Sequence, residues 1–200
     1  MKIIKPLPHD LYLACSGGID SMFAYNFLMA GRKNIHCLFF NHGTKTSEEA
    51  EHFLKNKVQK LTIGRLTRQF EKGESPEKFF REQRYLFFSQ FQDKPIITCH
   101  HLNDCAENWV MTSLKGTPKL IPYKNGNIIR PFLLISKMEI EDYCQRKSVH
   151  YCQDITNFDV NIPRNRIRHK VINELLLVNP GFFRMIRTKI NQSLVNQIPV

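Results

Sequence analysis

The sequence predicts an α/β fold in which helices cover both faces of a doubly wound, mostly parallel sheet. Three observations lead to this prediction. Short apolar runs alternate with segments of helical periodicity, and each run ends in a polar or glycine-containing turn. Hydrophobic residues make up 42% of the 200-residue chain, which is enough for a substantial core. Ligands of such sheets bind beyond the carboxyl ends of the strands, so the turns there are candidate functional sites.

Four apolar runs are the predicted strands, and they cover residues 11–15, 35–40, 61–70 and 95–99. Helical spacing of apolar residues follows each strand, in segments that begin near residues 22, 46, 75 and 103. Gly31 is well placed to end the first helix, and Thr46 with Glu49 forms a predicted capping box at the start of the second. We expect the second helix to extend to Leu61 and the fourth to Lys115.

A hairpin and a further helix are predicted after residue 120. Residues 121–123 and 128–130 flank Asn125-Gly126, a dipeptide typical of two-residue hairpin turns. Ser136 is the expected N-cap of a helix whose apolar face carries Ile140.

The chain is strongly basic, with 29 Lys and Arg against 18 Asp and Glu, a net charge of +11 and a pI near 9.5. Such a balance favours a polyanionic partner. Residues 160–200 hold seven of the basic residues and one acidic residue, Glu174. We therefore predict a core of residues 1–135 and a basic helical C-terminal extension of residues 136–200 that packs on it.

Six cysteines are scattered along the chain without a CxxC pair, and most lie in apolar runs. This pattern is typical of reduced core cysteines. The sequence has neither a signal peptide nor an apolar run long enough to span a bilayer. A cytoplasmic protein with no membrane association is therefore expected.

The strongest candidate site is the hexapeptide Ser16-Gly17-Gly18-Ile19-Asp20-Ser21, which joins the first strand to the first helix. Its glycines let the backbone approach a phosphate, and the helix N-terminus presents free N–H groups. The two serines add hydroxyl groups, and Asp20 is a candidate ligand for Mg²⁺. No lysine follows the glycines, so the loop is not that of ordinary NTPases. The alternative is a strand–helix turn that binds nothing.

Asn41-His42 and His100-His101 follow two other predicted strands, so three turns converge on one crevice, as in an enzyme. Asp104 and Glu107 lie three residues apart on the following helix and share one face. Two acids beside a phosphate site call for a cation, either Mg²⁺ or the ammonium group of an amine substrate. The two histidines lack a third zinc ligand at suitable spacing, and a solvated helix start is the alternative for the acids.

The hexapeptide resembles the PP-loop of the N-type ATP pyrophosphatases, and further motifs resemble one group of them, the tRNA(Ile)-lysidine synthetases. These motifs occur in the family's order, and they are Asn41-His42-Gly43, Arg81-x-x-Arg84-Tyr85, His100-His101-x-x-Asp104-x-x-Glu107, Arg130-Pro131-Phe132-Leu133, Asp154-Ile155-Thr156-Asn157 and Arg164-Asn165-Arg166-Ile167-Arg168. The chain departs from the family pattern at Asn108, where a threonine is usual, and at Lys115-Gly116-Thr117-Pro118, which replaces RGTG.

The resemblance implies a ligase that joins L-lysine to the wobble cytidine of an isoleucine tRNA with a CAU anticodon, by way of an adenylated tRNA, converting ATP to AMP and diphosphate. It implies ATP binding by Ser16, Gly17, Gly18, Ile19, Asp20, Ser21, Asn41 and His42. Asp20 would bind Mg²⁺, and Asp104 with Glu107 would bind lysine. The catalytic set implied is Asp20, His100, Arg81, Arg84, Arg164 and Arg168.

Alternatives stay open at this point. A PP-loop tRNA thiolase would need cysteine pairs, and CxxC is absent. A small-molecule amidating enzyme does not account for the +11 charge. An inactive RNA-binding module would not need Asp20, Asp104 and Glu107 intact. The C-terminal domains of longer relatives are not expected in 200 residues, and the sequence carries no signal for oligomeric state.

Overall fold

The computed structural model describes residues 1–71, 73–153 and 159–195, so Asp154-Ile155-Thr156-Asn157 lies outside the described residues. The strands are β1 (Asp10–Ala14), β2 (Asn34–Asn41), β3 (Leu61–Arg65), β4 (Ile96–Ile97), β5 (Lys124–Asn125) and β6 (Ile128–Ile129). The helices are α1 (Ile19–Ala30), α2 (Lys45–Lys57), α3 (Pro76–Phe88), α4 (Leu102–Ser113), α5 (Lys137–Arg146), α6 (Pro163–Arg166), α7 (Ile172–Val178) and α8 (Phe182–Val195), with a π-turn (Ile167–Val171) between α6 and α7.

The six strands form one sheet in the order β3-β2-β1-β4-β6-β5. All neighbouring strands are parallel except β5, which pairs antiparallel with β6 at the edge. The chain winds outward from β1 to β3 on one side and from β4 on the other. The connections therefore reverse direction between the neighbouring strands β1 and β4. This position is a switch point, and open α/β sheets bind ligands beyond the strand ends there. The predicted α/β fold with a mostly parallel sheet is confirmed.

Side chains alternate along β1 and β2 between two apolar clusters on opposite faces of the sheet. Leu13 and Cys37 pack in a cluster with α1, α2 and α5, whereas Tyr12 and Leu38 pack in a cluster with α3. A third cluster joins α4 to the π-turn, α7 and α8, and Ile186 of α8 is one of its fully buried members. Helices on both faces explain why the apolar runs of the strands are nearly continuous.

The capping box predicted at Thr46 and Glu49 is wrong. The N-cap of α2 is Thr44, whose side chain accepts from the Ser47 backbone N–H at 3.2 Å. Ser47 also donates to the side chain of Asn41 at 2.9 Å, so a contact with the end of β2 selects this cap among several hydroxyl residues. The helix ends at Lys57, before Leu61 begins β3.

Several strand boundaries also differ from the prediction: β4 is shorter than residues 95–99, and β5 lies at Lys124–Asn125 rather than at residues 121–123. β3 ends at Arg65 rather than at residue 70, because the Thr67 backbone N–H donates to the side chain of Gln83 at 2.9 Å. In the hairpin, Asn125 pairs with Ile128, so the turn is Gly126-Asn127, one residue later than expected. Gly126 has φ of 59°, a conformation that favours glycine. The predicted cap at Ser136 is confirmed, and Glu139 completes its capping box.

Gly64 in β3 allows α3 to pack closely on the sheet. A Cβ atom at this position would lie 2.5 Å from the ring of Phe87, well inside van der Waals contact. The absence of a side chain at Gly64 therefore sets how near α3 approaches β3.

The π-turn interrupts the helical run after Pro163. The Ile172 backbone N–H donates to the carbonyl of Ile167, five residues earlier, as in a π-helix. Both isoleucines are buried in the cluster with α4 and α8, although a regular α-helix would turn residues five apart well away from each other. The wider turn therefore lets both side chains face the same core.

Candidate active site

The loop after β1 leads directly into an uncapped helix N-terminus. The Cys15 backbone N–H donates to the carbonyl of Leu38 at 2.9 Å, which fixes the end of the strand. Gly17 is buried beside α2 and has φ of 81°, a conformation that favours glycine. Gly18 is the N-cap of α1, and no side chain caps the first turn. The free N–H groups and the positive end of the helix dipole suit an anion.

Two serines line this loop. The hydroxyl of Ser21 donates to the carbonyl of Gly18 at 2.9 Å, and its oxygen lies 3.4 Å from that of Ser16. Ser16 is exposed and Ser21 is buried. Ser16 therefore presents the more accessible hydroxyl, while Ser21 stabilises the turn.

Three helix N-termini meet at this edge of the sheet. The Lys137 backbone N–H at the start of α5 donates to the side chain of Asn103 in α4 at 2.9 Å. The Leu102 backbone N–H, at the start of α4, donates to the carbonyl of Ile135 at 2.8 Å. The ammonium of Lys137 donates to Oδ1 of Asp20, near the start of α1, at 2.6 Å. The positive ends of α1, α4 and α5 therefore surround one place.

Asp20 is a partly solvent-exposed carboxylate at this site. Its side chain is 35% exposed, and Oδ1 lies 2.6 Å from Nζ of Lys137 and 3.6 Å from Nε2 of His101. No group of three or more His, Cys, Asp or Glu among the described residues is arranged to hold a metal ion. Mg²⁺ is commonly bound by one or two carboxylates together with substrate phosphates. A single accessible carboxylate fits a magnesium ion of that kind.

Asp104 and Glu107 are paired with Arg164 and Arg168. Glu107 is 1% exposed and accepts from Nε of Arg164 at 2.9 Å, from Nε of Arg168 at 2.7 Å and from Nη2 of Arg168 at 3.0 Å. Asp104 is 13% exposed, accepts from Nη2 of Arg164 at 3.0 Å and lies 3.6 Å from Nη2 of Arg168. The structure thus joins two sets to which the sequence assigned separate roles.

These charges hold one another in the ionised state. Burial alone would raise the pKa of Asp104, but His101 and Arg164 outweigh it and lower that pKa to about 2. Burial would lower the pKa of both arginines, and the two carboxylates raise it above the usual value. The Asp104 side chain also accepts from the His101 backbone N–H at 3.0 Å, which caps α4.

Two histidines of the site are neutral at pH 7. Burial lowers the pKa of His100 to about 4, and the positive charges of Arg130, Arg164 and Arg84 lower it further against the opposing effect of Asp104. Burial, followed by the charge of Arg84, lowers the pKa of His42 to about 4 as well. Each ring therefore offers an uncharged face or nitrogen to a ligand.

His42 lies between two aromatic rings at the end of β2. Its ring centroid is 5.1 Å from that of Phe40 and 4.9 Å from that of Phe80. Its Nδ1 atom is buried and has no partner among the described residues. Asn41 differs, since it is buried and already bonded to Glu51 at 2.6 Å, Gly43 at 2.8 Å and Ser47 at 2.9 Å. Asn41 therefore organises the turn that presents His42.

The two arginines of α3 have different surroundings. Arg84 is half-buried, and its pKa is lowered chiefly by burial, with no hydrogen bond or ion pair to any described residue. Arg81 is exposed, with its guanidinium 5.0 Å from the ring centre of Tyr85. Of the two, Arg84 is the one that lies beside His42.

Sequence reasoning missed Lys137 as a site residue and missed the pairing of the arginines with the acids. A signal for Lys137 does exist, because a cation at the first position of a helix opposes the helix dipole. Such a residue needs a compensating anion, and Asp20 supplies it. The ion pairs of Arg164 and Arg168 with the two acids cannot be predicted in this way, because no pattern in the neighbouring sequence indicates them.

The glycine turn at the switch point of a parallel sheet, backed by three helix N-termini, defines an α/β domain with a phosphate-binding loop. The family described as the PP-loop domain matches residues 2–175, and the chain belongs to that family. No described helix is long and apolar enough to cross a membrane.

Several curated relatives, all described as tRNA(Ile)-lysidine synthases, match most of the chain. The tRNA(Ile)-lysidine synthase of Persephonella marina is 34% identical over 191 residues, covering 86% of this chain and 42% of the relative. The enzyme of that name from Thermosipho africanus is 33% identical over 86% of this chain and 45% of its own length. The chain thus spans less than half the length of these relatives.

Among solved structures, the U34-tRNA thiolase NcsA from Methanococcus maripaludis, with its [4Fe-4S] cluster, superposes with a TM-score of 0.73. The match covers 98% of this chain and 75% of that one, at 15% sequence identity. Similarity at this level of identity shows a shared fold.

Proposed function

We propose that this chain carries out the ATP-dependent ligation of L-lysine to the wobble cytidine of an isoleucine tRNA, through an adenylated tRNA. One observation carries the proposal: His101 joins the phosphate-binding loop to the acidic pair. Its Nε2 atom lies 3.6 Å from Asp20 and 3.5 Å from Asp104. This contact supports a site for ATP beside a site for an amine, as two successive steps on one carbonyl group require.

In the first step, the C2 carbonyl oxygen of the cytidine attacks the α-phosphorus of ATP, and diphosphate leaves. The uncapped N–H groups of residues 16–21 bind the departing phosphates where their charge develops. Asp20 would hold Mg²⁺, which supplies neutralisation of phosphate charge when it is bound. His42 and Asn41 border the ATP site on the β2 side.

In the second step, the ε-amine of lysine attacks the adenylated carbon and expels AMP. We assign the amine contact chiefly to Asp104, since Glu107 is fully buried and already accepts three hydrogen bonds. Asp104 is more accessible, and its position is set by Arg164 and by the His101 backbone. Arg164 and Arg168 then act as positioning residues for both acids.

The tRNA is proposed to bind through positive charge and through a base that leaves the anticodon stack. Extrusion is inexpensive in a single-stranded loop. Arg84 lacks an anionic partner among the described residues, which suits a phosphate beside His42 and His100. Exposed Arg184 and Arg187 on α8 extend the basic surface.

The test is mass spectrometry of isoleucine tRNA after incubation with the protein, ATP and lysine. We expect the tRNA to gain one lysine less one water, with one AMP released for each modified tRNA. Reactions without lysine should accumulate the adenylated tRNA, and cytidine-to-uridine replacement at the wobble position should abolish both products.

Three results would contradict the proposal. Absence of AMP release would remove the adenylation step. AMP release with no lysine-dependent mass change would indicate another adenylating enzyme, and a mass gain of sulfur for oxygen would indicate a thiolase.

A further inference from the structure

We propose that Lys137 binds the diphosphate portion of ATP and replaces, from a separate helix, the lysine that the glycine loop lacks. This inference rests on the proposed function, because it requires ATP at the loop. Lys137 lies 117 residues after Asp20 in the chain, yet its Nζ atom is 2.6 Å from Oδ1 of Asp20. Its side chain is 30% exposed, so the ammonium group is accessible from solvent.

The ion pair leaves an excess of positive potential. Lys137 occupies the first position of α5, and its partner Asp20 occupies the second position of α1. The positive ends of α1, α4 and α5 meet here. Asp20 is the one carboxylate shown within contact of this lysine among the described residues. A polyanion bound at the uncapped loop would complete the charge balance.

A purely structural role for the pair is not needed to join α5 to α1. The hydroxyl of Tyr143 in α5 donates to the side chain of Asn26 in α1 at 2.9 Å. The ring of Tyr143 also packs against Phe23 and Phe27, with centroids 5.2 and 6.0 Å apart. The two helices are thus held together by buried contacts, and Lys137 is left for another role.

The ammonium group has three donors, and Asp20 uses one. A second donor can bind an oxygen of the β- or γ-phosphate without breaking the ion pair. During AMP transfer, the attacking oxygen bonds to the α-phosphorus, and the bond from that phosphorus to the bridging oxygen breaks. The electron pair leaves with diphosphate, and Lys137 neutralises the charge that it carries away.

The experiment compares equilibrium binding of ATP, diphosphate and adenosine to the full chain by calorimetry. Lys137→Met should weaken ATP and diphosphate binding at least tenfold while adenosine binding stays unchanged. Lys137→Arg should restore part of the loss. Lys33→Met is the matched control, because Lys33 lies beyond the opposite end of α1 and donates to the carbonyl of Leu7 at 2.6 Å. Binding by this variant should equal that of the wild type.

A double-mutant cycle separates direct contact from action through Asp20. In magnesium-free buffer, Lys137→Met should still weaken diphosphate binding when it is introduced into Asp20→Asn. No effect in that background would overturn the inference, and so would equal losses for ATP and adenosine. If the wild type binds ATP and releases AMP while Lys137→Met behaves identically, this inference alone fails. If the wild type binds neither ATP nor diphosphate, the proposed function fails with it.

Discussion

Two carboxylate sites lie at the same edge of the sheet and differ in how firmly their cations hold them. Asp20 is 35% exposed and is paired with one lysine. Glu107 is 1% exposed and accepts three hydrogen bonds from two arginines. A partly solvated ion pair contributes little to stability and exchanges partners readily. A buried carboxylate cannot lose its cations without a large penalty.

The difference divides the site into an exchangeable part and a fixed part. On the loop side, the partly exposed pair of Asp20 and Lys137 leaves donors of Lys137 and one oxygen of Asp20 open to a ligand. On the α4 side, Glu107 holds α6 through Arg164 and the π-turn through Arg168, and we call this set of ion pairs the arginine frame. Substitutions on the two sides of the site should therefore differ in whether they reduce stability or activity.

The largest effect is expected from Glu107→Gln. The change removes the negative charge that two partly buried guanidinium groups share, and breaking a buried ion pair in this way typically costs about 3–5 kcal/mol. Urea denaturation should show this loss in the free energy of unfolding. Glu174→Gln, an exposed glutamate in α7, should change it by less than about 0.5 kcal/mol. If Glu107→Gln lowered the free energy of unfolding as little as Glu174→Gln does, Glu107 would not hold the arginine frame in place.

Asp20→Ala should act on chemistry rather than on stability. If Asp20 organises the phosphate charge, its loss should reduce AMP formation by about a hundredfold or more. The melting temperature should stay close to that of the wild type, since Asp20 is partly solvated. Asp142→Ala, an exposed aspartate in α5, is the control and should retain full activity. Near-normal AMP release by folded Asp20→Ala would remove this residue from the site.

Asp104→Asn tests whether the accessible member of the acidic pair binds the amine. The apparent KM for lysine should rise about tenfold, as expected for the loss of one charge-assisted hydrogen bond. Adenylated tRNA should still form without lysine, because the glycine loop is untouched. Loss of adenylate formation at unchanged lysine KM would move Asp104 to the phosphate or metal side.

Acid should weaken the site through its histidines before its carboxylates. The pKa of His100 is about 4 in the folded protein against an ordinary 6.5, so the unfolded chain binds more protons between these values. The free energy of unfolding therefore falls as pH drops from 6.5 to 4. Asp104, with a pKa of about 2 against 3.8, adds a loss only below pH 3.8.

The contribution of His100 to the pH dependence of the free energy of unfolding can be measured by urea denaturation between pH 6.5 and 2. His100→Gln should flatten the dependence between pH 6.5 and 4 and leave the portion below pH 3.8 in place. Part of the dependence should remain in this variant, because burial lowers the pKa of His42 to about 4 as well. An unchanged slope in the variant would show that His100 does not titrate as described.

Local sequence patterns account for the sheet and for the position of the glycine loop. The apolar runs predict β1, β2 and β4, and the neighbours of Ser136 are enough to predict it as the cap of α5. The pairing of Arg164 with Glu107 joins residues 57 positions apart and depends on how α6 docks on α4. The contact of Lys137 with Asp20 depends on the same kind of tertiary packing. Such contacts are decided after the elements form, so periodicity does not reveal them.

Because of the π-turn, the exact number of residues between α6 and α7 determines how the helices after it pack. A π-turn accommodates one more residue than a regular α-helical turn. Deleting one residue between Ile167 and Val171 would restore regular winding and rotate everything downstream by about 100°. Ile172 would leave its apolar cluster, while Arg164, upstream, would keep its place on Glu107. A one-residue gap here in an evolutionary relative would therefore mark a protein whose last helices dock differently on an otherwise intact site.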